Sequence, residues 1–209
     1  AEVCRRAREA GILTIIDGAH APSQLDLQLD DLGADFYIGN CHKWLCAPKG
    51  AGFLFARPER QPLLDPLIIS WGWESERPGP SPFLDHYEWA GTSDPSAYLS
   101  VPAAIAFQRE HAWSRVRAAC HALVGDARER IGALTGLPQI APDSADWWVQ
   151  MAAIPLPPTD APALKARLWD DYRIEVPITA RQGQTYVRVS IQAYNRPEDV
   201  DRLVAALGE

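Results

Sequence analysis

Two charged side chains sit where a β-sheet would deliver its chemistry. Asp17 follows the apolar run Ile12-Leu13-Thr14-Ile15-Ile16, and Lys43 lies a few residues beyond a second strand-like run at 35–39. In open α/β sheets, ligands bind at the carboxyl ends of the strands. An Asp and a Lys that each lie just past a parallel strand would point into one crevice. A lysine kept partly desolvated there is a nucleophile, and Trp44 and Leu45 beside it could supply that setting. Asn40, Cys41 and His42 precede the lysine, and Gly50 and Gly52 follow it. On pattern alone, a surface lysine and a helix-capping aspartate account for the same residues, so both readings stand at this point.

The elements around these residues read as follows. Residues 1–10 form a helix that Gly11 ends. Residues 12–16 are apolar on both parities, the pattern of a parallel strand buried on both faces. A helix feeding such a strand implies an earlier strand, so the chain is expected to be the C-terminal part of a longer protein. A short amphipathic segment at 25–32 ends at Gly33, and strands follow at 35–39 and 51–56. Residues 57–82 are rich in Pro, Gly and Trp and read as an irregular connection, with Trp71 and Trp73 as core or dimer contacts. Helical patterns follow Pro95, with Asp94 as a cap, and again at 113–134. The remainder reads as strands at 148–154, 173–178 and 185–191 and helices at 161–171 and 197–207, the last with Pro at its first turn. The fold class is therefore α/β, with a boundary near residue 110. Residues 1–110 are expected to be part of a large domain and residues 111–209 a small C-terminal α/β domain.

Composition narrows the function classes. A chain of 209 residues buries about 70% of its unfolded surface and needs no disulfide or metal to make a core. Apolar residues at 47% and charged residues at 22% place it among globular proteins. No apolar run reaches the ~18 residues of a membrane span. The net charge of −7 opposes a nucleic-acid or acidic-membrane partner, because phosphate binding needs a positive footprint. Cys4, Cys41, Cys46 and Cys120 lack zinc-site spacing and read as buried free thiols in a reducing compartment, the cytoplasm.

Several motifs in order carry a family resemblance. They are Ile15-Ile16-Asp17-Gly18-Ala19-His20, Asp35-Phe36-Tyr37, Gly39-Asn40-Cys41-His42-Lys43-Trp44 and Pro48-Lys49-Gly50-Ala51-Gly52. Further along come Trp89-Ala90-Gly91-Thr92-Ser93-Asp94-Pro95 and Val187-Arg188-Val189-Ser190-Ile191-Gln192-Ala193-Tyr194-Asn195. Together they resemble the class V aminotransferase family, fold type I enzymes dependent on pyridoxal 5'-phosphate (PLP), over nearly the whole chain. Within the family the likeness is greatest to its isopenicillin-N epimerase-like branch, through residues 40–50, 91–99 and Tyr172-Arg173-Ile174-Glu175-Val176-Pro177.

The resemblance implies a large-domain sheet that is mostly parallel and a definite set of roles. Lys43 would form the aldimine with PLP and shuttle the α-proton. Asp17 would pair with the pyridine nitrogen, making the ring an electron sink, and His20 would sit beside the phenolic oxygen. Asn40 and His42 would contact the phosphate. Gly91 and Thr92 would reach the phosphate of a neighbouring subunit, which implies a homodimer with shared sites. Arg188 would clamp the carboxylate of an amino-acid-like substrate through its guanidinium fork. The implied reaction is epimerisation at the α-carbon through a carbanion. A C–S or β-lyase, or an aminotransferase, would use the same visible residues. Residues 179–187 contain no Cys, so the persulfide chemistry of the family's cysteine desulfurases is not expected. The aromatic that stacks on PLP and the phosphate-cradling helix lie upstream in the family and are not in this sequence. A truncated, non-catalytic fragment unable to hold PLP alone is therefore the competing reading.

Overall fold

The computed structural model describes residues 1–209, which divide into two compact units, Ala1–Gln108 and Arg109–Glu209. In the first, α1 (Glu2–Glu9) leads into β1 (Ile15–Asp17), and the short α2 (Leu29–Leu32) precedes β2 (Phe36–Asn40) and β3 (Gly52–Ala56). The sheet order is β1-β2-β3. β1 pairs parallel to β2, with Asp17 opposite Ile38, while β3 returns antiparallel. Gly33 takes the left-handed conformation, φ 72°, that stops α2 and turns the chain into β2. β1 is shorter than its apolar run and is not buried on both faces. It is an edge strand, and Ile12, Leu13 and Ile15 are 61, 49 and 69% exposed. It has one neighbouring strand, and no element of this chain covers those three side chains.

A buried polar knot fixes the register of that parallel pair. Asp35 Oδ2 accepts from Thr14 N–H and from the Thr14 hydroxyl, both at 2.9 Å, and the Asp35 N–H returns to Thr14 Oγ1 at 2.9 Å. Arg60 Nε donates to Asp35 Oδ1 at 2.8 Å. Burial pushes the Asp35 carboxyl upward, but the Thr14 and Arg60 donors outweigh it and hold it below the usual carboxylate range.

The connection after β3 carries more structure than its composition suggests. A 3₁₀ turn spans Pro58–Leu63 and a helix, α3, spans Pro82–Tyr87. The Ser81 side chain accepts from Leu84 N–H, and proline follows at the first turn. Trp71 is 87% exposed and is not a core residue of this chain. α4 (Ser96–Leu99) and α5 (Val101–Glu110) close the unit, and Asp94 Oδ1 accepts from Ser96 N–H as the chain enters α4.

The second unit is an antiparallel sheet, β4 (Met151–Leu156), β6 (Gln184–Ser190) and β5 (Ile178–Arg181), in the order β4-β6-β5, with α6 (Trp113–Thr135), α7 (Ala161–Asp170) and α8 (Pro197–Gly208). Its core joins Val124 and Ile131 of α6, Ile154, Leu168, Val187, and Val200 and Leu203 of α8. The His121 ring stacks on Trp148, centroids 4.2 Å apart, and the Arg128 guanidinium lies over the same indole at 4.5 Å. Residues 173–177 do not form the expected strand. Arg173 adopts φ 56° and acts as the left-handed stop of α7, with Arg173 N–H donating to Trp169 O and Ile174 N–H to Leu168 O. β5 begins only after Pro177. Three of the four cysteines are buried free thiols, and Cys46, at φ 66° in its loop, is an exposed one.

Candidate active site at the end of the first sheet

The side chains of interest converge where β1 and β2 end. Asp17 is the last residue of β1 and is exposed. Its Oδ1 accepts from Ala19 N–H at 3.0 Å, a turn that directs the chain towards His20. Gly18 is required here by close approach. It is buried, and a methyl group on its Cα would fall inside the Tyr37 ring. Tyr37 is itself only 2% exposed, and burial together with the Asp17 charge pushes its hydroxyl up. Gly18→Ala is expected to destabilise the chain by about 1–3 kcal/mol through overpacking. Urea unfolding checks this, and a change under about 0.5 kcal/mol would show that the loop yields freely.

Lys43 rides on the loop between β2 and β3. Cys41 N–H donates to Ala51 O and Ala47 N–H to Cys41 O, both at 3.0 Å, so the loop is closed at its base. His42 Nδ1 meets Ala51 O at 3.0 Å, which makes His42 a brace as well as a candidate ligand. Beneath the loop, Cys41, Ala47, Ala51 and Ala104 form a small apolar cluster with Leu45, Ala97 and Val101 against it. Lys43 is half-buried, with Nζ 3.3 Å from His20 Nε2. Asn40 is the last residue of β2, also half-buried. Lys43 and His20 are therefore in contact, with Asp17 and Asn40 at the adjoining strand ends.

Two further residues belong to this cluster: Trp44, named in the sequence only as apolar backing for Lys43, and Gln108, which was not singled out. Trp44 Nε1–H donates to His20 Nδ1 at 3.2 Å. Gln108, on α5 and 8% exposed, donates to Trp44 O at 2.9 Å and accepts from Ser23 Oγ at 2.6 Å. A glutamine on a helix that packs through Ala104 and Val101 is the only sequence signal for it.

Gly91 and Thr92 stand apart, in an exposed turn before α4 where Gly91 takes φ 114°. Arg188 lies on β6 in the second unit. Thr185, Val187 and Val189 face the core, while Arg188 and Ser190 are exposed on the opposite face.

The chain belongs to the aminotransferase class-V family, whose model matches residues 1–203. It has the fold type I architecture of that family, whose cofactor is pyridoxal 5'-phosphate. It is 39% identical to isopenicillin N epimerase of Streptomyces clavuligerus, over 99% of this chain and 55% of that protein. It is 29% identical to a probable chloroplastic L-cysteine desulfhydrase of Arabidopsis thaliana, over 99% of this chain and 46% of that protein. The apo structure of a cysteine desulfurase from Thermococcus onnurineus superposes with a TM-score of 0.80 at 22% identity, over 99% of this chain and 54% of that one. The chain thus spans about half the length of the relatives it matches. No helix in it is long and apolar enough to cross a membrane.

The donor set suits the cofactor. An aldehyde-bearing, phosphorylated pyridine calls for an amine, an anion for its ring nitrogen and polar groups for its phosphate. Lys43, Asp17, and Asn40 with His42 would supply these at the carboxyl ends of β1 and β2.

Proposed function

We propose that this chain carries the lysine side of the active site of a PLP-dependent enzyme that acts at the α-carbon of an amino-acid-like substrate, as an isopenicillin-N epimerase-like isomerase. The observation that carries the reading is the Lys43–His20 contact of 3.3 Å at the strand ends that also bear Asp17. The likeness to isopenicillin N epimerase, 39% identical over 99% of the chain, supports the epimerase branch.

In this reading Lys43 Nζ is the amine that holds the cofactor's aldehyde carbon, and it later takes the α-proton. The Asp17 carboxylate keeps the ring nitrogen protonated. His20 lies beside the phenolic oxygen, and Asn40 and His42 hold the phosphate. Gly91 and Thr92, exposed in their turn, reach the phosphate in the neighbouring subunit of a homodimer. Arg188 takes the substrate carboxylate with its fork. When bound, the cofactor supplies an electron sink for the pair left at the α-carbon. The four free thiols fit a reducing compartment, the cytoplasm.

The test is a visible absorption spectrum of the chain mixed with PLP, followed by a screen of L- and D-amino acids in deuterated water. A shifted visible band together with α-proton exchange and inversion supports the epimerase. Exchange accompanied by release of sulfide or of a 2-oxo acid assigns a lyase or an aminotransferase instead. A flat spectrum shows that the chain does not hold the cofactor by itself. Asp17→Asn keeps the acceptor for Ala19 N–H but removes the charge. Exchange is expected to slow more than tenfold, about 1.4 kcal/mol in the barrier. An unchanged rate at equal PLP occupancy would make the carboxylate structural.

A further inference from the structure

Trp44 lies next to the lysine but touches neither substrate nor cofactor in the reading above. Its indole N–H can only donate. It does so to His20 Nδ1, at 3.2 Å. A neutral imidazole has one N–H and one acceptor nitrogen, and the hydrogen bond at one nitrogen decides the state of the other. We propose that Trp44 is a positioning residue that locks His20 in the Nε2–H tautomer, so that the nitrogen facing Lys43 is a hydrogen-bond donor.

The consequence follows from the partner 3.3 Å away. An Nε2–H meets Lys43 Nζ productively only when the lysine is the amine with a lone pair, because an ammonium has none to offer. The same N–H is the right polarity for an anionic oxygen. On the proposed function, on which this second point rests, that oxygen is the phenolate of the cofactor. The opposite tautomer would face such an oxygen with a lone pair.

The surroundings hold Trp44 to this task. Its side chain is 9% exposed. Its carbonyl is held by Gln108, itself fixed by Ser23, and Gln24 donates to the His20 carbonyl at 2.7 Å. Both ends of the Trp44–His20 bond are thereby anchored by side chains from elsewhere in the unit. None of these anchors depends on the indole N–H, so that N–H can be removed without cutting them.

Nitrogen-15 spectra of the chain labelled in its histidine rings, without cofactor, test the proposal. In the wild type, His20 Nε2 should resonate as an N–H nitrogen and Nδ1 as an unprotonated acceptor. Trp44→Phe should redistribute His20 towards a mixture of both tautomers, with backbone amide spectra showing the fold retained. A Trp44 replaced by its benzothiophene analogue, which has the same shape and no N–H, should behave as the Phe variant does. A wild-type His20 found with its proton on Nδ1 overturns the proposal, as does a tautomer unchanged by the benzothiophene replacement. Neither result bears on whether Lys43 captures PLP, which borohydride fixation reads separately.

Discussion

Replacing Lys43 by Arg is expected to abolish the pyridoxyl label that borohydride fixes on PLP-treated chain, and the visible band with it. The chain has three lysines, Lys43, Lys49 and Lys165. Only Lys43 is held half-buried against a histidine. A guanidinium keeps the charge but has no amine to condense with an aldehyde. The loop needs no contribution from the lysine side chain, because backbone bonds of Cys41 and Ala47 close it. Peptide mapping of wild-type chain after reduction should place the label on Lys43. A label on Lys49 or Lys165, or a Lys43→Arg variant that still fixes pyridoxal, would remove Lys43 from the role proposed for it.

The largest stability effect is expected at Asp35→Ala. Removing that carboxylate leaves Thr14 N–H, the Thr14 hydroxyl and Arg60 without their acceptor. Breaking a buried pair from one side costs about 3–5 kcal/mol. Because Arg60 is partly exposed and can turn to water, about 3 kcal/mol is expected. The pH dependence follows from the direction of the shift. The folded carboxyl lies below its unfolded value of about 3.9, so its stabilisation is fully present above that pH and fades as the pH falls through the folded value. Urea titrations of the wild type and the variant should therefore converge in acid and differ most near neutrality. A difference below about 1 kcal/mol at neutral pH would mean that the knot is replaceable by water.

What could be read from the sequence depended on how local the cause was. The period-two alternation of Val187 and Val189 against Arg188 and Ser190 was legible, since each residue votes for its own face. So was the stop at Gly33, where a left-handed residue suits glycine. Ile174-Glu175-Val176 misled, because strand-like composition could not reveal that Arg173 would take the left-handed position itself. The apolar run at 12–16 misled about burial, since pattern reports what a strand can bury and not what this chain lays against it.

At the site, the placement of Asp17, His20, Asn40 and Lys43 near one sheet edge was legible from strand ends and motif order. The tie from Trp44 to His20 was not, and neither was the tie from Gln108 to Trp44. They join residues 24 and 64 positions apart, and a side-chain hydrogen bond leaves no periodic trace.

The closure of the second unit by α8 has a consequence for synthesis on the ribosome. Val200 and Leu203 of α8 complete the core that Val124 and Ile131 of α6 begin, and Arg130 binds Asp201 across the same seam at 2.7 Å. About 60 residues separate the end of α6 from the start of α8, roughly 3–12 s of translation at ~5–20 residues per second. Throughout that interval the apolar stripe of α6 has no α8 to lie against, whereas the first unit's residues have already been made. Nascent chains should therefore recruit hydrophobic-binding chaperones chiefly while residues 136–197 are being added, and release them once α8 emerges.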